Sequence, residues 1–305
     1  MIKRTLFFGN PAYLSTRNEQ LVVKLTDPNT QEEVVKTIPI EDVGVVVLED
    51  RQITITNGAM DALLHNNCAV VTCDEKHMPA GLLLPLEGHS VQSERFRWQI
   101  EASLPLKKQL WQQTIKQKIL NQAEILRKES LIESRCMEAW AKDVRSGDFD
   151  NLEARAAAYY WKNVFAPWGI KDFVRGRDEA PPNNLLNYGY AILRAIIARA
   201  LVGSGLLPTL GIHHHNRYNA YALADDIMEP YRPFVDKKVL EIVKSGIDYT
   251  ELSRDIKGTL LTLPTMDVII NEQRSPLMIA ASTTTASLAK CYGGESRKLI
   301  YPEMP

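Results

Sequence analysis

The stretch SERFRWQIEASLPLKKQLWQQTIKQKILNQAEILRKES, residues 93–130, marks a change in the pattern of the chain. It contains a single proline, and its basic residues punctuate a helical repeat of apolar positions. The segments before it predict strands, and most segments after it predict further helices. The chain therefore divides near residue 90 into a β-rich part and a helical part.

The first 90 residues contain short segments of β-branched and aromatic residues bounded by Asn, Asp, Pro and Gly, which predict strands. These segments are Thr5–Gly9, Gln20–Thr26, Glu33–Ile38, Val43–Leu48, Gln52–Thr56, Ala69–Cys73 and Gly81–Pro85. Residues Gly58–Asn66 predict a short helix between them. A small, mostly antiparallel domain similar to a β-sandwich fits this pattern.

The rest of the chain predicts helices at 131–145, 151–166, 183–203, 223–245, 250–257 and 276–290, in addition to those within 93–130. The expected fold class is therefore α+β. A mostly antiparallel β domain, residues 1–90, precedes an all-α domain, residues 91–305.

The charge is divided unevenly between these two parts. Residues 1–90 carry 7 Lys and Arg against 12 Asp and Glu, whereas residues 91–305 carry 29 against 25. The mild positive excess of the helical part is compatible with a polyanionic partner.

The cysteines and the apolar runs predict a cytoplasmic protein that does not enter a membrane. Cys68, Cys73, Cys136 and Cys291 show no Cys-x-x-Cys pair and no zinc-finger spacing. We expect them to be reduced thiols. The N-terminal apolar run is too short for a signal peptide, and no run approaches the ~20 apolar residues of a membrane span.

The segment GIHHHNRYNAYALADDIMEPYRP, residues 211–233, concentrates the residues suited to chemistry. Asp226 and Glu229 are three residues apart, so they share one face of a helix. Imidazole and carboxylate ligands together suit a divalent metal ion, and arginines suit a phosphate. If metal and phosphate meet here, this is a nucleic-acid or phosphoester enzyme.

Structural interpretations compete with this one. His213, His214 and His215 are adjacent, so their side chains cannot all point into one site. The acids Asp225, Asp226 and Glu229 could instead form an exposed acidic helix start.

Glu153 has a competing interpretation as well. It follows Asp150 by three residues, which is the spacing of a capping box. The sequence alone does not choose between a helix cap and a metal ligand.

Other polar residues admit two interpretations each. Arg175 and Arg177 could clamp a phosphate or be ordinary loop charges. Tyr188 could contact a DNA phosphate or be buried with its hydroxyl satisfied. The basic residues of segment 95–128 could form a solvated helix face or a phosphate-contacting surface.

Four motifs in a fixed order resemble a known family. They are the Glu153 at an alanine-rich helix start, NNLLNYGY at 183–190, GLLPTLGIHH at 205–214 and DIMEPYRP at 226–233. With the β-rich domain before them, they resemble the CRISPR adaptation integrases, the first of the CRISPR-associated proteins. The residues of the last two motifs are most similar to those of the type II branch.

The resemblance implies a metal site and a reaction. In that family a Glu, a His and a third carboxylate bind one divalent ion, Mg²⁺ or Mn²⁺. By motif position these residues are Glu153, His214 and Glu229, with Asp226 as the paired acid. The implied reaction is transesterification, in which the 3′-hydroxyl of a protospacer DNA attacks a phosphodiester at the edge of a CRISPR repeat. Arg217 and Arg232 flank the ligands and could add positive charge there.

The resemblance also implies partners. They are double-stranded DNA, a second copy of the chain held through the β domain, and a small ferredoxin-like second CRISPR adaptation protein. The type II RNA-guided effector nuclease would help to choose the incoming DNA. Two other functions stay open on the residues alone: a zinc-dependent hydrolase that uses His213–His215, and a noncatalytic DNA-binding scaffold.

Overall fold

The computed structural model describes residues 3–26 and 32–305. The chain forms two compact units, Met1–Gly88 and His89–Pro305. The first unit consists mainly of strands and the second mainly of helices, which confirms the expected α+β class.

Within residues 3–26 and 32–88, the first unit contains two four-stranded sheets, one α-helix and a 3-10 turn at Ile40–Asp42. Their bounds are β1 (Arg4–Phe8), β2 (Tyr13–Arg17), β3 (Gln20–Thr26), β4 (Glu33–Pro39), β5 (Val43–Leu48), β6 (Thr54–Ile55), α1 (Asn57–His65), β7 (Ala69–Cys73) and β8 (Pro79–Leu83). The strand orders are β1-β5-β7-β8 and β4-β3-β2-β6. The sequence pattern predicts each of these elements, within a few residues, except β2, which has only two apolar residues and pairs with β3.

The sheets are mixed, with more parallel pairing than the sequence pattern predicts. Strand β5 pairs in parallel with both β1 and β7, and β2 pairs in parallel with β6. The remaining pairs, β2–β3, β3–β4 and β7–β8, are antiparallel. The β5 sequence VGVVVL is almost wholly buried, as expected of a central parallel strand covered on both faces.

The second unit is helical apart from one hairpin. Its elements are α2 (Gln92–Glu101), α3 (Leu104–Lys128), α4 (Arg135–Asp143), α5 (Leu152–Val164), α6 (Asn183–Gly203), α7 (Ala222–Met228), α8 (Arg232–Ser245), α9 (Arg254–Leu260), β9 (Asp267–Ile270), β10 (Gln273–Pro276) and α10 (Leu277–Tyr292). The predicted helix 223–245 is divided between α7 and α8 by a 3-10 turn, Glu229–Tyr231. Pro230 and Pro233 lack the backbone N–H that a continuous helix would use there.

Helix α3 is central to this unit and contacts α4, α5, α7 and α8. Its buried positions recur every three or four residues, at Trp111, Ile115, Lys118, Gln122 and Ile125. One lysine therefore lies on the face that packs into the protein.

Helix α6 packs against α7, α8 and α10. By length and composition it could cross a membrane, but 78% of its most apolar window is buried inside the protein. That burial is typical of a core helix.

Candidate active site

The loop that carries the three histidines folds around the carboxylate of Asp226, on α7. Asp226 is fully buried, and its Oδ2 accepts hydrogen bonds from the backbone N–H groups of Ile212, at 2.8 Å, and His213, at 2.9 Å. A β-carbon at Gly211 would lie 2.9 Å from this Oδ2 and still closer to the carbonyl oxygen of His214. The loop can therefore close on the acid because residue 211 is a glycine.

Asp226 also orients the His214 ring, since its Oδ1 contacts His214 Nδ1. With Nδ1 engaged, Nε2 is the ring nitrogen left to bind a ligand, an arrangement common at metal-binding histidines. The pKa of His214 is raised, mainly by the hydrogen bond to Asp226. The negative charges of Glu229 and Glu153 raise it further. Both glutamates therefore favour the charged form of the imidazole.

The neighbouring histidines have different surroundings. The His213 ring stacks on Trp111, with ring centroids 4.1 Å apart and planes 1° apart. Burial and the neighbouring His214 lower the pKa of His213. The side chain of His215 is exposed. Of the three rings, that of His214 is the one bonded to the buried acid.

Asp225, the acid next to Asp226, serves a different part of the loop. Arg194 donates to both of its carboxylate oxygens, at 2.6 and 3.0 Å, and Asn219 donates at 2.8 Å. The ion pair links α6 to α7, and Asn219 ties the loop before α7 to the same acid. Asp226, and not Asp225, therefore supports the histidine.

Glu153 lies in the first turn of α5, but the capping-box interpretation is wrong. The helix is capped by Asp148, whose side chain accepts from the N–H groups of Leu152, at 2.9 Å, and Glu153, at 3.0 Å. Asp150 instead pairs with Arg145. The Glu153 carboxylate does not cap the helix and contacts α3.

A lysine on α3 joins the two glutamates. Lys118 Nζ lies 2.6 Å from Glu153 Oε1 and 2.6 Å from Glu229 Oε2. Burial opposes the charged form, but the charges of Glu229 and Glu153 outweigh it and raise the pKa of Lys118. Sequence reasoning placed this lysine with the surface charges of segment 95–128. Its position on the apolar stripe of α3 was the signal that it is buried.

Glu229, at the start of the 3-10 turn, also pairs with Arg232, whose Nε lies 2.9 Å from Glu229 Oε1. Burial opposes ionisation of Glu229, yet the charges of Arg232 and Lys118 lower its pKa. Asn121 of α3 donates to the Pro230 carbonyl at 2.8 Å and holds the turn in place. Asn121 is a positioning residue that sequence reasoning missed.

The donor atoms of this site fit a divalent ion such as Mg²⁺ or Mn²⁺. Carboxylate oxygens of Glu153 and Glu229 converge on one cationic atom, and His214 offers an imidazole nitrogen beside them. Within residues 3–26 and 32–305, no three His, Cys, Asp or Glu side chains are already grouped around a common point. The Lys118 ammonium lies between the two carboxylates, so a metal ion there requires this ammonium to move.

The residues predicted to contact DNA differ in their exposure to solvent. Arg217 is exposed, in the loop after the histidines, and contacts Tyr218. Arg177 is exposed as well. Tyr188 is fully buried, so its hydroxyl is out of reach of a DNA strand in this structure. The structure therefore shows the burial that the structural interpretation of Tyr188 expects.

Arg175 is engaged in contacts within the protein. Its guanidinium donates to Asn183 Oδ1 at 2.9 Å and to Asn187 Oδ1 at 2.8 Å. It also lies over the Tyr190 ring, 5.1 Å from the centroid, while Arg232 lies 4.8 Å from the same centroid. Arg175 therefore orders the segment before α6, and the Tyr190 ring gives Arg232 a second contact besides Glu229.

Comparison with known proteins gives consistent results for fold and sequence. A CRISPR-associated endonuclease Cas1 from Neisseria meningitidis is 35% identical over 306 aligned residues, which cover 100% of this chain and 97% of that protein. A solved structure, a casposase bound to integration product, matches with a TM-score of 0.75 at 21% identity. The match covers 97% of this chain and 92% of the casposase chain. A chain of a Cas6-RT-Cas1–Cas2 complex has a TM-score of 0.76 at 20% identity, with 100% of this chain and 36% of that chain covered.

The family model for CRISPR associated protein Cas1 matches residues 6–273. That range contains most of the β-rich unit, Glu153, the histidine loop and Glu229. Together with the full-length relative, it shows that this chain belongs to the CRISPR associated protein Cas1 family.

Proposed function

We propose that this protein is a metal-dependent DNA endonuclease and integrase that joins the 3′-hydroxyl ends of protospacer DNA to phosphodiesters at a CRISPR repeat. The observation that carries the proposal is the meeting of Glu153 and Glu229 at one buried cation, beside a histidine oriented by Asp226. Membership of the Cas1 family and the fold shared with a casposase bound to integration product support it.

Glu153, His214 and Glu229 would hold the ion, and Mg²⁺ or Mn²⁺ suits their oxygen-rich donor set. When bound, the ion would lower the pKa of the attacking hydroxyl and offset negative charge on the phosphate. Asp226 keeps the His214 ring in one tautomer and orientation. Arg232 neutralises one carboxylate oxygen of Glu229 and limits its repulsion of the phosphate.

The joining step exchanges one phosphodiester for another. The 3′-oxygen of the incoming strand loses its proton and bonds to phosphorus. The bond between phosphorus and the 3′-oxygen of the repeat strand breaks, and that oxygen takes up a proton. We expect Arg217 and Arg177, which are exposed, to bind phosphates of the DNA. Contacts with phosphates dominate the affinity of a protein for DNA and make that affinity sensitive to salt.

The proposed assembly follows from the family. We expect double-stranded protospacer and repeat DNA as substrates, a homodimer formed through the β-rich unit, and the small second CRISPR adaptation protein as partner. The matched Cas6-RT-Cas1–Cas2 complex supports the last of these. A type II RNA-guided nuclease would help to select the incoming DNA. The protein would act in the cytoplasm.

The two other functions are less well supported. A noncatalytic scaffold would use its acids as helix caps, whereas the Glu153 and Glu229 carboxylates bind a buried lysine. A zinc hydrolase would need converging histidines, whereas His213 stacks on Trp111.

A strand-transfer assay tests the proposal. Purified protein would be mixed with the second adaptation protein, a supercoiled plasmid carrying a CRISPR repeat, and a labelled duplex with free 3′-hydroxyls. We expect Glu153→Gln and Glu229→Gln to abolish labelling of the plasmid with Mg²⁺ or Mn²⁺, while DNA binding persists. Asp150→Asn on the same segment and Glu241→Gln on α8 are the matched controls and should retain activity. Normal strand transfer by either site variant would refute the assignment.

A further inference from the structure

Lys118 is a buried charge in contact with two residues of the proposed metal site. Its ammonium bridges Glu153 and Glu229 at 2.6 Å each, and the residue is 8% exposed. An unpaired buried ammonium is strongly disfavoured, and so is an unpaired buried carboxylate such as that of Glu229. The bridge removes that cost for both partners at once.

The packing of α3 holds Lys118 at this contact. The lysine occupies the buried stripe of α3 between Ile115 and Gln122, and α3 packs against α5 and the 3-10 turn that begins at Glu229. The three side chains thus come from three elements, and the lysine connects them. Without a cation at this point the two carboxylates would repel each other and drive α5 and the turn apart.

We propose that Lys118 is a built-in counter-cation that holds Glu153 and Glu229 together before the metal ion binds and gives up its place when the ion arrives. This inference rests on the proposed function, because it concerns the same two carboxylates. It implies that the lysine competes with the metal ion and lowers its affinity, while it keeps the metal-free protein folded around the site.

Charge balance gives this competition a role in the order of binding. The two carboxylates and the two cations Lys118 and Arg232 cancel in the metal-free site. A divalent ion that takes the place of the ammonium leaves the two carboxylates and Arg232 with a net charge of about +1, which a phosphodiester and its more negative transition state can offset. The displaced ammonium has access to the solvent side of the site, since 25% of the Glu153 side chain and 48% of the His214 side chain are exposed. Metal ion and DNA phosphate would therefore stabilise each other in the site.

A Mn²⁺ titration of the intact protein without DNA tests the inference. Free Mn²⁺ would be followed by electron paramagnetic resonance in wild type, Lys118→Met and Lys118→Arg. We expect Lys118→Met to bind Mn²⁺ about tenfold or more tightly than wild type, because two carboxylates lose their competing cation. Its metal-free melting temperature should fall, and saturating Mn²⁺ should restore it. Lys118→Arg keeps the charge and should retain an affinity near that of wild type.

Lys116→Met is the matched control, because Lys116 is two residues away on a different face of α3. It should change neither the Mn²⁺ affinity nor the metal-free melting temperature. Equal or weaker Mn²⁺ binding by Lys118→Met, with wild type binding normally, would overturn the counter-cation role and leave the proposed metal site intact. Absence of Mn²⁺ binding by wild type and Lys118→Met alike would overturn both.

Discussion

At the scale of single residues, the site depends on one buried carboxylate. Asp226 accepts from two backbone N–H groups at 2.8 and 2.9 Å and from the His214 ring, so one side chain folds the loop and selects the histidine. A charged acceptor can bind several donors at once, which compensates for the cost of burying it. The loop approaches this closely because Gly211 has no β-carbon.

Asp226→Asn is expected to lower Mn²⁺ affinity and strand transfer by about 10–100-fold, the usual loss when the partner of a metal-binding histidine is removed. The amide is a neutral, weaker acceptor, so His214 loses its orientation and the loop loosens. Mn²⁺ titration and the plasmid assay would measure the two losses. Asp225→Asn, which disturbs the neighbouring pair with Arg194, should affect both much less. Wild-type affinity in Asp226→Asn would show that the acid does not position the ring.

At the scale of elements, the start of α5 presents Glu153 toward α3. Asp148 caps this helix through two N–H groups, and its cap leaves the Glu153 side chain available to Lys118. The capping box that the spacing of Asp150 and Glu153 predicts does not form. Asp148, two residues before Asp150, accepts from the free N–H groups at the helix start. The Glu153 carboxylate binds Lys118 on α3 instead.

Asp148→Ala is expected to destabilise the protein by about 1 kcal/mol, the typical cost of a lost helix cap. It should also reduce strand transfer, because the first turn of α5 carries Glu153. Denaturant unfolding followed by circular dichroism measures the first effect. Asp150→Ala removes an exposed pair with Arg145 and should cost less stability than Asp148→Ala. A larger loss for Asp150→Ala than for Asp148→Ala would restore the capping-box interpretation.

At the scale of the whole helical unit, a second buried acid connects three helices. Asp236 on α8 accepts from the hydroxyls of Tyr160 on α5 and Tyr190 on α6. Burial raises its pKa from 3.8 to about 6, although both hydrogen bonds and the nearby Arg175 and Arg232 oppose the rise. The helices that carry the site are thus joined by a group that titrates below neutral pH.

This acid predicts a pH dependence of stability. Because its folded pKa lies above 3.8, the folded protein holds the proton more tightly than the unfolded chain. Its contribution to stability therefore falls as the pH rises through the window from 3.8 to about 6. From pH 5 to pH 7.5 the free energy of unfolding of Asp236→Asn should rise by roughly 1–2 kcal/mol relative to wild type. Urea unfolding at both pH values measures this difference, and parallel changes in the two proteins would contradict it.

Local pattern and residue type were enough to predict part of the fold. Apolar periodicity predicts α6 at 183–203 and β5 at Val43–Leu48, as the structure has them. Strand pairing was less predictable, since the parallel contacts of β5 join segments far apart in the chain. The motifs were also sufficient for the resemblance to the family, because their glycines, acids and prolines occur in a fixed order.

The tertiary structure alone decided which of the chemical residues meet. Lys118 and Glu153 are 35 residues apart, and Glu229 comes from a third element. Their contact depends on how three helical segments pack, which no local pattern encodes. The same packing buries Tyr188 and Lys118, and it leaves Arg177 and Arg217 exposed. Residue type specifies what a side chain can bind, and long-range packing specifies whether a partner is there.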